Sequence, residues 1–197
     1  MHHQKVNMKR GIHIVLVMLM LQQTATAQLI RPVTVNNEFS NKLSQVTGGI
    51  RNNFHSVQGE KLPSGEDVDV YGSLVTLPGA KHCTISRYHS VEDTSASWQA
   101  MMYEGDIYEQ ALKVYKKTCR EVNKTVVKLD NGTAASFKGK TENPEQNLRF
   151  VTSSYRLNTK DPFYKNYYAE VEMVNINFDQ WEVRVNLLCK KEDPDEE

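Results

Sequence analysis

Three cysteines, Cys83, Cys119 and Cys189, are the most reactive side chains in this sequence. Cys83 sits beside His82 and close to His89, a grouping of soft ligands. The residues around it alternate as a strand does, so His82 and Cys83 point to opposite faces and are poorly placed to share one ion. No CxxC or HxxxH spacing supports a metal centre. A nucleophilic Cys83 with His55 or His89 as base is weaker still, because Cys119 competes for it as a disulfide partner. One intrachain bridge is the most that three thiols allow. Cys83–Cys119 is the favoured pair, since a helix lying on a sheet brings such positions together, with a reduced chain as the next reading.

Residues 134–141, AASFKGKT, end like a phosphate-binding loop. Ala134 stands where the first glycine belongs, however, and Asn143-Pro144 follows where a helix should present its N–H groups. A surface strand with lysines pointing outwards is the better reading. Glu66, Asp67 and Asp69 lack calcium-loop spacing. No GxSxG or HExxH motif occurs, and no cofactor is implied. Asn123-Lys124-Thr125 and Asn131-Gly132-Thr133 match the N-glycan acceptor pattern.

One stretch points to recognition. In Asp161–Tyr168, DPFYKNYY, the aromatics Phe163, Tyr164, Tyr167 and Tyr168 are interleaved with Lys165 and Asn166. Aromatics with polar tips are favoured at binding surfaces. These four are the candidate binding residues. The competing reading is that two of them cover one end of a sheet.

The elements that must position these residues follow from periodicity. Phe39, Leu43, Val46, Ile50 and Phe54 recur at helical spacing, with Asn36 or Asn37 as cap and Gly59 as stop. Gly59 to Asp69 reads as a polar loop. Tyr71 to Tyr88 reads as two strands joined at Leu77-Pro78-Gly79-Ala80, where proline fixes φ and glycine supplies a positive one. Ser95 to Tyr103 alternates as a strand that Gly105 ends. Asp106 is expected to cap a second helix with Ile107, Ala111, Val114 or Tyr115, Thr118 and Val122 on its inner stripe. Strands are expected at about 133–141, 148–157, 167–176 and 180–190, separated by Asn-Gly, Asn-Pro and Asp-Pro punctuation. In the last of these, Trp181, Val183, Val185 and Leu187 alternate with Glu182, Arg184 and Asn186.

The ends bound the cellular setting. Lys9 and Arg10, the apolar run Ile12–Leu21 and Ala25-Thr26-Ala27 before Gln28 have the order of a cleaved secretory signal. The expected organisation is a signal peptide over 1–27, one α+β domain over 28–189 and a disordered acidic tail over 190–197. Beyond residue 27 the chain carries 21 basic and 24 acidic residues, an even mixture that gives no electrostatic reason to expect nucleic acid.

These elements predict an α+β fold of two layers, an antiparallel sheet with helices on one face, in the order helix, three strands, helix, four strands. The order is similar to that of small secretion-chaperone domains, with no shared motif and no function implied. The expected role is a secreted or periplasmic, non-enzymatic binding module for a protein or a glycan, with no stable membrane span after signal cleavage. The alternatives are a small hydrolase-like exported enzyme, marked by a cleft of converging polar groups, or an inhibitor or chaperone of a co-exported partner.

Overall fold

The computed structural model describes residues 38–89, 95–145, 147–177 and 180–190. All of them fall within the unit Val35–Glu197. The segment expected to be a signal peptide, the residues up to Asn37, Asp179 and the expected acidic tail from Lys191 lie outside the described residues.

Helix α1 covers Glu38–Gly49 and buries Phe39, Leu43 and Val46 on the stripe that the periodicity marks. It stops well before Gly59. After a 3-10 turn at Ile50–Asn52, Asn53 (φ 52°) and Phe54 (φ 62°) are both left-handed. The Phe54 N–H donates to the Gly49 carbonyl at 2.7 Å, closing off the helix end. Asparagine tolerates this backbone region, whereas a phenylalanine there is rare. Phe54 is fully buried, so apolar packing offsets the strain. A second 3-10 turn, His55–Val57, leads into strand β1, Gln58–Leu62.

The chain then forms β2 (Val68–Ser73), β3 (His82–Tyr88) and β4 (Ala96–Gly105). β2 and β3 form the expected hairpin, with Tyr71 opposite Ile85. Its connection turns at Gly79 (φ 87°), where the Ala80 N–H donates to the Leu77 carbonyl at 3.0 Å. The first strand ends at Ser73, earlier than its alternation implies. The Ser73 hydroxyl bonds both the N–H and the carbonyl of Val75 and also accepts from Trp98 Nε1, which pulls the chain out of the ladder.

Helix α2, Tyr108–Lys124, follows. Ala111, Tyr115, Thr118 and Val122 are buried as expected, while Ile107 is exposed at the capping position. Asp106 does not cap, and no side chain bonds the helix start. Five strands complete the chain: β5 (Val126–Lys128), β6 (Ala134–Gly139), β7 (Phe150–Asn158), β8 (Tyr167–Ile176) and β9 (Gln180–Cys189).

All nine strands form one antiparallel sheet in the order β1-β2-β3-β4-β9-β8-β7-β6-β5. The expected two-layer α+β class is therefore corrected. Among the described residues the fold is largely β, a single nine-stranded sheet with only two short helices. The likeness to secretion-chaperone order falls with it. The two strands missed, β1 and β5, account for part of the error. QGEKL is mostly exposed and has no apolar alternation, and β5 is three residues long. Backbone pairing with neighbours makes each of them a strand, and that information is not local. Both sit at the sheet edges, where short charged strands discourage further pairing.

Two meanders, β1–β4 and β5–β9, each preceded by a helix, join where β4 pairs β9. Burial separates the two faces of the sheet. Tyr167, Ala169, Val171 and Met173 of β8 and Trp181, Val183, Val185 and Leu187 of β9 point into the core. Each such side chain contributes about 1.5–3 kcal/mol when fully buried. Tyr108 of α2 meets Trp181 edge-on at 5.1 Å. The opposite face carries Arg156, Tyr168, Glu170, Glu172, Arg184 and Asn186, at alternate positions of β7, β8 and β9. No described helix is long and apolar enough to cross a membrane.

Candidate anion-binding site

The polar face of the second meander ends in a cationic cleft. Antiparallel register sets Lys138 of β6 opposite Arg156 of β7, and Arg156 opposite Tyr168 of β8. Tyr168 in turn lies opposite Leu188 of β9. Two residues along β7, Asn158 ends the strand on the same face. The loop after it then rises as a wall through Thr159, Lys160, Asp161 and Pro162 to Lys165. Between wall and sheet lies a cavity of about 400 Å³.

The wall is shaped by its own sequence. The Asp161 carboxylate accepts from the Phe163 N–H at 3.0 Å, and Pro162 stands at the first position of the 3-10 turn Pro162–Tyr164. The Asp161 N–H donates to the Thr159 hydroxyl at 3.2 Å. Arg156 Nε donates to the Lys165 carbonyl at 2.7 Å, which ties the loop to β7. From the 3-10 turn after α1, Arg51 reaches across to Asp161 at 2.7 Å and to Asp130 at 3.2 Å.

Electrostatically the cleft is one-sided. Lys138, Arg156, Lys160 and Lys165 line it, and Asp161 is the carboxylate among its lining residues. Asp161 is already engaged by Arg51 and by the Phe163 N–H. No described carboxylate forms an ion pair with Lys138 or Lys160. Such a site attracts an anion, with Asn158 and Thr159 placed to donate to or accept from its hydroxyl groups.

The four aromatic candidates are not brought together on one surface. Tyr164 and Tyr167 are fully buried, and their rings meet edge-on at 5.9 Å. Tyr167 also contacts Phe137 at 6.1 Å. Burial pushes the Tyr167 phenol far above its ordinary pKa and raises that of Tyr164. Phe163 is exposed on the turn, with the Arg51 guanidinium 4.4 Å above its ring. Tyr168 is half-buried beside the cleft, in register with Arg156, and the Lys190 ammonium lies 4.9 Å from its ring. Tyr168 is thus the aromatic candidate that borders the cationic site.

The cysteines remain apart as free thiols. Cys83 is on β3, whereas Cys119 of α2 lies among Tyr115, Tyr155 and Ser153, the last two on β7. Four ladder steps separate β3 from β7 in the sheet order, a span of roughly 19 Å. A disulfide needs Cα atoms within about 7 Å. The favoured Cys83–Cys119 bridge is corrected on that ground. Burial raises the pKa of both thiols, which makes them poor nucleophiles.

The chemistry-bearing motifs resolve blandly. Residues 134–139 of the apparent phosphate loop are strand β6, and its Lys138 lines the cleft. Lys140 pairs with Glu142 at 3.1 Å. His82 is exposed and Cys83 buried on opposite faces of β3, as strand alternation requires. Asp69 pairs with Lys61 at 2.6 Å, and that ammonium is the largest cause of its lowered pKa. No metal-holding group of three His, Cys, Asp or Glu side chains occurs among the described residues.

The basic residues of the cleft were not marked by sequence reasoning. They come from β6, β7 and the following loop, so no local window contains them. The available signal was the pairing of β6 with β7, which sets Lys138 beside Arg156 once the strands are in register. Comparison with known protein families, curated proteins and solved structures gives no match for this chain.

Proposed function

We propose that this chain is an exported, non-enzymatic binding module whose cationic cleft captures an acidic glycan. The observation that carries this reading is the convergence of Lys138, Arg156, Lys160 and Lys165 on one cleft whose carboxylate, Asp161, is already neutralised by Arg51. A cavity of about 400 Å³ is at the small end of the ligand-pocket range of about 300–1,000 Å³. It suits one or two acidic sugar units. Asn158 and Thr159 supply polar partners for sugar hydroxyls, and the Tyr168 ring supplies a flat apolar face next to the charges. The Lys9–Ala27 segment, read as a cleaved signal, would place this site outside the cytoplasm.

Binding is favoured over hydrolysis because the lining holds no free acid–base pair. Asp161 is tied down at both ends, and Glu170 and Glu172 lie outside the cleft lining. The decisive experiment is titration of the mature protein with oligogalacturonate and with a neutral galactan oligomer. The acidic oligomer should bind and weaken as salt rises, because exposed charges are screened within about 8–10 Å at 0.1–0.15 M salt. Lys138→Glu with Lys160→Glu should abolish binding without changing the melting temperature. Equal binding of both oligomers, or full affinity in the charge-reversed variant, defeats the reading. Preference for an acidic protein from the same compartment would favour the inhibitor or chaperone alternative.

A further inference from the structure

Tyr108 of α2 meets Trp181, which places that helix on the core face of the sheet. On the opposite face the register aligns one polar side chain from each of five adjacent strands. Ser154 of β7 lies opposite Glu170 of β8, Glu170 opposite Asn186 of β9, Asn186 opposite Gln99 of β4, and Gln99 opposite Thr84 of β3. Neighbouring strands are about 4.8 Å apart, so this row of hydroxyls, amides and a carboxylate runs for roughly 19 Å. Its side chains hold one another in place. Gln99 Nε2 donates to Asn186 Oδ1 at 2.9 Å, and the Ser154 hydroxyl donates to Glu170 at 2.6 Å. Among the described residues, the Gln99 carbonyl oxygen and the Thr84 hydroxyl have no hydrogen-bond partner. The row begins beside the cleft, because Ser154 is two residues along β7 from Arg156, or roughly 7 Å, and on the same face.

We propose that this row binds neutral sugar units that follow an acidic unit held in the cleft. The inference rests on the cleft being the ligand site and names its ligand class, a glycan in which a uronate is joined to a neutral chain. One hydrogen-bonding group per strand matches the length of a sugar ring in an extended chain, so successive rings meet successive side chains. Amides both donate to and accept from ring hydroxyls, and the carboxylate accepts from them. Side chains already fixed by mutual bonds lose little freedom on binding, so their contacts contribute more net affinity. The row is also close to neutral, unlike the cleft. Lys190 pairs with Glu170 at 2.6 Å, Arg184 pairs with Glu182, and Glu172 lies opposite Arg184 in the adjoining row. A second uronate laid here faces Glu170 and Glu172, so a uniformly acidic chain gains nothing from extra length. An apolar partner such as a second sheet is disfavoured, because it strips water from these groups without replacing the lost hydrogen bonds.

The test titrates the mature protein with xylotriose and xylohexaose that each carry one glucuronate on a terminal unit, and with the galacturonate trimer and hexamer. The longer neutral-tailed probe should bind about 3- to 10-fold more tightly than the shorter one, the worth of one or two net hydrogen bonds. The galacturonate pair should show no such gain. Gln99→Ala with Asn186→Ala should remove the gain and leave the affinity for the short acidic probe unchanged, which also reports that the variant is folded. Should that double variant fail to fold, Thr84→Val should lose part of the gain. Equal affinity for the two neutral-tailed probes, an equal gain in the galacturonate pair, or a gain that survives the substitutions overturns the inference. In each of these cases, binding of the short acidic probe leaves the glycan reading intact. Failure of every acidic probe removes that reading, and unsubstituted xylohexaose then decides the row alone. At millimolar concentration it should shift the side-chain amide resonances of Gln99 and Asn186, and unmoved resonances overturn the inference.

Discussion

Tyr167 separates a packing role from a recognition role for the aromatic stretch 163–168. Its side chain is fully buried, with the ring set between Phe137 and Tyr164. Truncation of a buried aromatic to alanine removes its transfer free energy and leaves a cavity, so Tyr167→Ala should lower stability by about 3–5 kcal/mol. Tyr167→Phe should do the opposite. The Tyr167 hydroxyl and Thr47 Oγ1 are buried next to each other, but their mutual contact falls short of good hydrogen-bond geometry, which leaves the hydroxyl poorly satisfied. An unpaired buried hydroxyl costs about 1–3 kcal/mol by mutational data. Removing it while keeping the ring should stabilise the fold by about 1 kcal/mol. For a domain of about 150–250 residues this raises the melting temperature by about 2–4 °C. Thermal and urea unfolding followed by circular dichroism measure both variants. A loss of 1 kcal/mol or more in Tyr167→Phe would refute the reasoning, because it would show that the hydroxyl is bonded in the native state. An unchanged midpoint in Tyr167→Ala with lost ligand capture would return Tyr167 to a binding surface.

Other expectations follow from burial and charge. Burial, aided by the nearby Glu170 charge, raises the Glu172 carboxyl above its ordinary 4.5, against opposing contributions from Asn186 and Arg184. A raised carboxyl favours the fold fully below the unfolded pKa, and this advantage is lost as pH rises through the folded pKa. Glu172→Gln should therefore raise the melting temperature at pH 7, with the gain shrinking towards zero near pH 4; a gain independent of pH contradicts the assignment. Val185 is fully buried, and Val185→Asp places an unpaired charge in the core, so the variant should lose several kcal/mol in a urea titration. An unaltered midpoint would mean that β9 presents its other face. Native alkylation should label the exposed Cys189 first, with Cys83 and Cys119 reacting only after denaturation. Peptide mapping without reductant should find no Cys83–Cys119 bridge.

Legibility from sequence tracked how local the determining physics was. Strand β9 could be read directly because Trp181, Val183, Val185 and Leu187 alternate with polar residues, and the buried face depends on that alternation alone. The β2–β3 turn was equally plain, since Pro78-Gly79 sets its own backbone. Helix α1, expected to run to Gly59, is about two and a half turns shorter than that. Its apolar spacing continues through Ile50 and Phe54, which are buried, but the chain reaches those positions through left-handed residues instead of a helix. Burial periodicity thus identified the right residues and the wrong backbone. Strand β1 was invisible because GEKL has no apolar face and depends on β2 for its conformation. The fold class failed for the same reason, as two unmarked edge strands widened the sheet to nine. Of the aromatic candidates, Tyr167 turned inwards because alternation along β8 assigns Tyr167 and Ala169 to the core face and leaves Tyr168 on the other, and Tyr164, on the preceding 3-10 turn, is buried against the Tyr167 ring.

Net charge misleads about the cleft because charge acts locally. The chain beyond residue 27 has slightly more acid than base, which argues against a general polyanion partner. Yet a ligand in salt water responds to charges within about one screening length, about 8–10 Å. Several cations elsewhere on the described surface are matched: Lys61 with Asp69, Lys81 with Glu104, Lys140 with Glu142 and Lys190 with Glu170. Exposed pairs of this kind add little to stability, typically under about 1 kcal/mol. Their larger consequence here is to cancel local field. At the cleft the cancellation fails, because Arg51, on the 3-10 turn after α1, takes up Asp161 and leaves Lys138, Arg156 and Lys160 facing one cavity. The site exists because one carboxylate has been removed from the balance, so strengthening or weakening the Arg51–Asp161 pair should retune ligand affinity. Arg51→Gln frees Asp161 to oppose an incoming anion. It should weaken oligogalacturonate binding several-fold while each residue lining the cleft keeps its identity. Unchanged affinity in that variant would show that Asp161 never shaped the field of the cleft.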